Sequence, residues 1–297
     1  MKRTLFFNQP AYLSTRYEQL IVRYPDQHKK TVSVPIEDIA FIVLENLQIT
    51  ISNSLISKLA ENKVLLFTCD NQHMPISMTN PIVGNTLQSE RIRYQINASL
   101  PLRKHIWKQT IVSKIENQAS HLIKKNKNAV RLVRISKEVK SDDSSNCEAI
   151  AAAYYFQNIF DVENFSRKRF GIPPNNLLNY GYSILRGIAA RAIISTGLLV
   201  TLGIRHKNKY NPFCLADDIV EPYRPFVDFL VNDIVESKVN CMSLNSEIKN
   251  SLLRLPTVDV LINRKKSPLI TAMSITTNSL YECFASIRRN VIYPRFP

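Results

Sequence analysis

The stretch GIRHKNKYNPFCLADDIVEPYRP, residues 203 to 225, sets His206 at the end of an apolar segment and follows it with Asp217, Asp218 and Glu221. If LADDIVE is helical, Asp217 and Asp218 precede Glu221 by four and three positions, so all three acids approach one face. Carboxylates crowded in this way repel one another unless a cation neutralises them. An imidazole nitrogen beside hard oxygens suits manganese or magnesium, with water and substrate completing the shell. The same residues equally fit a solvated acidic helix start before a Pro-x-x-Pro kink, and the stretch alone leaves both readings open.

A second acid stands out at residues 141 to 160, SDDSSNCEAIAAAYYFQNIF. Ser144, Ser145 and Asn146 are good helix caps, which puts Glu148 in the first turn, where the helix dipole favours its charge. The small side chains of Ala149 to Ala153 let another helix approach closely. Glu148 is then expected at a packed edge, where an acid needs a partner.

These residues need elements to hold them, and the chain changes character near residue 80. Before it, short β-branched and aromatic runs recur at Leu5 to Phe7, Gln19 to Tyr24, Thr31 to Val34, Ile39 to Leu44 and Val64 to Thr68. One helix opens at Ser52-Asn53 and carries Leu55, Ile56 and Leu59 on a stripe. The expected fold class is α+β: a small β-sandwich-like domain with one helix over residues 1–80, a linker over 81–90, and a larger all-α domain over 91–297. Asn85 with Gln88 has capping-box spacing, and Leu102 to Ile123 reads as a basic helix with an apolar stripe, including Lys114 between Ile111 and Ile115. Arg264-Lys265-Lys266 reads as a turn.

Charge narrows the function. The 297 residues hold 39 Lys and Arg against 24 Asp and Glu, a formal charge of +15. Such an excess attracts polyanions, nucleic acid first. Residues 124 to 140 carry seven cations against Glu138 alone, and Arg167, Lys168 and Arg169 form a second basic cluster. Arg186 and Arg191 lie on an apolar helix and need acids or phosphates as partners. No apolar run is long enough to span a membrane, and the opening is too short for a signal peptide. Five dispersed cysteines without C-x-x-C fit a reduced cytoplasm and neither a disulfide framework nor a zinc ribbon. No Walker A, Rossmann or G-x-S-x-G motif is present.

Four segments taken together carry a resemblance: KHIWKQTIVSKIENQA (104–119), DDSSNCEAIAAAYYF (142–156), NLLNYGYSILRGIAARAIISTGL (176–198) and GIRHKNKYNPFCLADDIVEPYRPFVD (203–228). With the KRTLFF opening and SNSLISKLAENKVLLFTCD, the chain resembles the CRISPR-associated spacer integrases, the Cas-one family, and most closely its type II branch. The resemblance implies an N-terminal β domain that dimerises and a helical catalytic domain. It implies a Mg2+ or Mn2+ site on Glu148, His206 and Glu221, the residues that would carry catalysis. Asp218 matches a nearby acid that either supports these ligands or touches the metal.

Glu221 stands where other branches often have aspartate. Cys147 departs from the arginine found beside the glutamate in many members, which puts a local phosphate contact in doubt. The activity implied is spacer acquisition: the 3′-hydroxyls of short DNA fragments attack the leader-repeat end of a CRISPR array. The implied partners are DNA, a second copy of the chain, the Cas-two protein in a heterohexameric complex, and Cas-nine with other type II factors. DNA contacts are expected at Arg167, Arg186, Lys207 and Arg224. The alternatives are a hydrolytic metal-dependent nuclease and a non-catalytic nucleic-acid scaffold.

Overall fold

The computed structural model describes residues 3–26, 28–71, 74–79, 84–163 and 165–297. The chain divides into two compact units, Met1–Gly84 and Asn85–Pro297.

The first unit is built from β1 (Arg3–Phe7), β2 (Tyr12–Arg16), β3 (Gln19–Arg23), β4 (Val32–Pro35), β5 (Ile39–Leu44), β6 (Thr50–Ile51), α1 (Asn53–Glu61), β7 (Leu65–Cys69) and β8 (Pro75–Thr79). Two four-stranded sheets result, in the orders β1-β5-β7-β8 and β4-β3-β2-β6. The run IAFIVL of β5 is buried at all six positions, as expected of a central strand paired in parallel on both sides, with β1 and β7. Ser52 caps α1 by accepting from the Leu55 amide, and Leu55 and Leu59 turn into a core shared with Leu13, Leu20, Ile36 and Ile42. The strands β2, β6 and β8 were not anticipated. Two-residue β6 is too short to register, and β8 lies in a segment whose Pro and Asn content reads as a boundary.

The second unit runs α2 (Gln88–Ile96), α3 (Leu100–Lys124), α4 (Val130–Glu138), α5 (Cys147–Ile159), α6 (Asn175–Thr196), α7 (Cys214–Val220), α8 (Arg224–Glu236), α9 (Ser246–Leu252), β9 (Asp259–Ile262), β10 (Lys265–Pro268) and α10 (Leu269–Phe284). The expectation of an all-α unit is corrected by the β9–β10 hairpin, whose turn residues Asn263 and Arg264 take positive φ while Lys265 and Lys266 pair in the strand. Residues 81–83 of the expected linker lie outside the described residues, and residues 88–90 are the first turn of α2. Asn85 does not cap that helix. Its side chain instead accepts from the Leu87 amide and donates to the Ser195 carbonyl.

The long helices α3 and α6 form the centre of this unit. Ser99 caps α3 and Pro101 sits in its first turn, where its missing N–H costs nothing. In α6 a Cβ at Gly181 would lie 2.4 Å from Val227 Cγ1, so this glycine lets α8 pack directly on the helix. The segment after α10 returns across the unit. Tyr293 hydrogen-bonds Thr110, Arg295 bridges to Leu261 of β9, and the Phe296 ring stacks on Phe226 at 4.3 Å. Among the described residues no helix is long and apolar enough to cross a membrane, and the five cysteines carry free thiols.

Candidate active site

Five segments of the second unit bring the expected residues together. The middle of α3 contributes Lys114, the first turn of α5 Glu148, the loop after α6 His206, and α7 Asp217 and Asp218. A 3₁₀ turn over Glu221–Tyr223 contributes Glu221.

Lys114 is the centre of the arrangement. Its ammonium lies 2.6 Å from Glu148 Oε1 and 2.6 Å from Glu221 Oε2, on a side chain only 9% exposed. Burial opposes its charge, but the Glu221 and Glu148 carboxylates outweigh that cost and hold its pKa above the usual lysine value. Glu221 is 5% exposed, and its other oxygen, Oε1, pairs with Arg224 at 3.0 Å. Burial disfavours its charged form, yet Arg224 and Lys114 bring its pKa below the ordinary carboxylate value. Lys114 reads in the sequence as one cation of a basic helix. It points inward because it falls within the stripe of Ile111, Ile115, Gln118 and Leu122 that α3 buries. That position in the 3.6-residue period was the available signal, masked by the basic residues around it.

Asn117, one turn further along α3, donates to the Pro222 and Pro294 carbonyls at 2.8 and 3.0 Å. One face of α3 thereby holds both the Glu221 carboxylate and the backbone that carries it. Glu148 lies in the first turn of α5 as expected, but the cap is a different residue. Asn146 adopts the left-handed region and makes no side-chain cap; Asp143 does the capping, its two carboxylate oxygens accepting from the Cys147 and Glu148 amides. The alanines of α5 also differ: Ala151 is buried, but Ala149 and Ala153 are exposed. Glu148 gains its partner from α3 and not from a helix closing over those alanines.

Asp218 is fully buried and gathers the loop before it. Its Oδ2 accepts from the Ile204 and Arg205 amides, and Oδ1 accepts from His206 Nδ1–H at 2.6 Å. Gly203 permits this tight wrap, since a Cβ there would lie 2.5 Å from the His206 carbonyl and 2.9 Å from Asp218 Oδ2. The bond from Asp218 raises the His206 pKa, with burial working against it and the Asp218, Glu221 and Asp217 charges adding to it. With Nδ1 engaged, Nε2 is the nitrogen left for a ligand, on a side chain 44% exposed. The indole of Trp107 meets the imidazole edge-on at 6.0 Å, a support not anticipated from the sequence.

The three acids of LADDIVE take separate partners and do not converge on one cation. The α-helix ends at Val220, and Asp217 pairs with Arg186 and Asn211. Each acid has its own cationic or amide partner. Among the described residues no three His, Cys, Asp or Glu side chains are gathered as a metal would hold them. Two are, Glu148 and Glu221, and the cation between them is Lys114.

Of the residues expected on DNA, Lys207 is exposed beside His206. Arg167 is committed to Asn175, Asn179 and a backbone carbonyl, Arg186 to Asp217, and Arg224 to Glu221. The Tyr182 ring has both Arg167 and Arg224 against it, and its hydroxyl donates to buried Asp228 at 2.5 Å. Beside His206 opens a cleft of about 650 Å³ lined by Arg103, Gly203, Lys207, Lys209 and Tyr210. Cations and an exposed aromatic ring on its wall suit an anionic chain with flat bases.

Comparison with known proteins agrees with this architecture. The family profile described as CRISPR associated protein Cas1 matches residues 5–243. The CRISPR-associated endonuclease Cas1 of Neisseria meningitidis serogroup C (strain 8013) is 35% identical over 279 residues, covering 93% of this chain and 90% of the relative. A second relative, CRISPR-associated endonuclease Cas1 1 of Francisella tularensis subsp. novicida, is 26% identical and covers 85% of each chain. Among solved structures, the fold is similar to a casposase bound to integration product, with TM-score 0.78, 20% identity, and 98% and 92% of the two chains covered. It is also similar to a CAS1 protein from Thermotoga maritima, with TM-score 0.75, 17% identity, and 95% and 97% covered. The profile spans most of the chain and the Neisseria relative is matched nearly end to end, so this chain belongs to the CRISPR associated protein Cas1 family.

Proposed function

We propose that the chain is a DNA integrase of CRISPR adaptation, joining the 3′-hydroxyl ends of short DNA fragments to the leader-repeat end of an array. The observation that carries this reading is the convergence of Glu148 and Glu221 on one cation beside a histidine oriented by a buried aspartate. The chemistry of that donor set, two carboxylates and an imidazole nitrogen, suits Mg2+ or Mn2+, and the three side chains would have to close on the ion in place of Lys114. Glu221 Oε2 supports the fit: it is buried and faces the Lys114 ammonium at 2.6 Å, so a cation already stands between the two carboxylates. A bound divalent ion would polarise the scissile phosphate and stabilise the leaving 3′-oxygen.

The chain's own residues supply the rest. Asp218 keeps His206 Nδ1 occupied so that Nε2 faces the reaction, Arg224 and Asn117 fix Glu221, and Asp143 fixes the turn bearing Glu148. Lys207, Lys209 and the exposed cations of α4 would bind the DNA backbone without reading its sequence. Arg167, Arg186 and Arg224, also assigned to DNA, would do so while keeping their internal partners. Partners in this reading are DNA, a second copy joined through the β domain, and Cas2. A Cas6-RT-Cas1–Cas2 complex is among the similar folds, at TM-score 0.70 and 18% identity, covering 97% of this chain and 35% of that one. Cas-nine is a further partner of the type II branch.

The relatives named endonucleases favour a second reading, in which water replaces the 3′-hydroxyl as nucleophile. A strand-transfer assay separates the two. Purified protein with Cas2 and Mn2+ receives a fragment with 3′-hydroxyl or 3′-deoxy ends and a leader-repeat duplex. Joining that requires the 3′-hydroxyl and disappears in Glu148→Ala is expected; cleavage indifferent to the 3′-hydroxyl would favour hydrolysis.

A further inference from the structure

The two carboxylates expected to hold a metal already have cations against them. Two carboxylates, Glu148 and Glu221, face two cations, Lys114 and Arg224, with contacts of 2.6, 2.6 and 3.0 Å. Lys114 cannot drift away cheaply, because its side chain is only 9% exposed and its ammonium is paired with both carboxylates. An incoming divalent ion would add two positive charges where Lys114 and Arg224 already stand and would compete with the ammonium for the same two carboxylates. A DNA phosphate arriving at the neighbouring cationic cleft brings negative charge that offsets the added cation. We propose that Lys114 is a built-in counter-cation that makes tight divalent-metal binding conditional on DNA being bound.

This inference rests on the metal reading of Glu148, His206 and Glu221 and deepens it. Coupling of this kind is reciprocal: if DNA strengthens metal binding, metal strengthens DNA binding by the same factor. Lysine is suited to the role. Its compact ammonium meets both carboxylates at one point, Nζ, which is where a divalent ion held by the same two oxygens would compete with it.

The test measures Mn2+ affinity by EPR of free Mn2+, using the full chain with and without a duplex whose 3′ ends are deoxy, so that no joining takes place. In the wild type, DNA is expected to tighten Mn2+ binding about tenfold or more, within the usual range of coupling between sites. In Lys114→Met, Mn2+ binding without DNA is expected to tighten by a similar factor, and the effect of DNA to shrink. Equal wild-type affinity with and without DNA overturns the proposal without recourse to any variant. So does a folded Lys114→Met or Lys114→Gln protein whose Mn2+ affinity is unchanged or weaker. Failure of the underlying metal reading looks different: Glu148→Gln and Glu221→Gln would then leave Mn2+ binding to the DNA complex intact.

Discussion

Asp218 holds His206 from two directions, accepting from its ring Nδ1–H at 2.6 Å while binding the backbone amides of the loop that delivers it. Orientation of the imidazole and conformation of residues 203–206 therefore depend on one buried carboxylate. In Asp218→Asn the shape is kept, but one oxygen is replaced by a donor facing other donors. Strand transfer is expected to fall about 10–100-fold, as for other residues that orient a histidine ligand. Leaving buried amides poorly paired costs about 1–3 kcal/mol of stability. Transfer rates together with urea denaturation check both, and unchanged rates would remove Asp218 from the site.

Asn117 makes a purely mechanical contribution through two carbonyls on different segments. Asn117→Ala leaves the Pro222 and Pro294 carbonyls buried without that donor, and a loss of about 1–3 kcal/mol follows. Activity is expected to fall as well, since Pro222 adjoins Glu221. Denaturation midpoints and transfer rates measured on one preparation would show both effects.

The buried chain from His121 through Tyr155 to Asp228 makes stability depend on pH in two opposing ways. Tyr155 spends its only proton on Asp228, so His121 Nδ1–H donates to Tyr155 and the imidazole is neutral. Burial raises the Asp228 pKa from 3.8 to about 6, against the bonds from Tyr182 and Tyr155. Its favourable contribution is full below 3.8 and is lost as pH rises through about 6. Burial, with Lys125 and Lys127 nearby, lowers the His121 pKa from 6.5 to about 3. Its contribution is present above 6.5 and is lost as pH falls toward 3. In Asp228→Asn only the histidine remains, so acid destabilisation between pH 6 and pH 4 should be steeper than in the wild type. Urea titrations at several pH values in that window test this, and parallel curves would refute it.

Exposed and committed cations should behave differently toward DNA. Arg131, Arg134 and Lys137 on α4 are exposed, whereas Lys125 is paired with Asp233 and Glu236, both at 2.7 Å. If α4 contacts phosphate, Arg134→Ala should reduce the slope of log affinity against log salt by about 1. Lys125→Ala should leave that slope unchanged. Fluorescence-anisotropy titrations across a range of salt concentrations decide it.

Much of this arrangement is legible in the sequence. Ser52 marks its helix, the β5 run reads as a buried strand, and the residues around Glu148, His206 and Glu221 carry the family resemblance. What is hidden depends on contacts between distant segments. Lys114 looks like one more cation on a basic helix until its place between Ile111 and Ile115 is matched with carboxylates 34 and 107 residues away. The acids at 217, 218 and 221 look like a cluster because an ideal helix would align them. The partners Arg186, His206 and Arg224, which come from other positions in the chain, engage them one by one instead. Asp143 displaces Asn146 as the cap of α5 because residues 142, 143 and 146 all adopt positive φ, which local preferences do not foretell.

The returning segment that contacts Thr110, Asn117 and Phe226 also has a bearing on synthesis. Helix α3 emerges from the ribosome early, but Tyr293, Pro294 and Phe296, which brace it, emerge more than 160 residues later. Until then the face carrying Lys114 and Asn117 lacks part of its support. A nascent chain that already contains Glu148, His206 and Glu221 therefore still lacks the segment that braces the helix bearing Lys114 and Asn117.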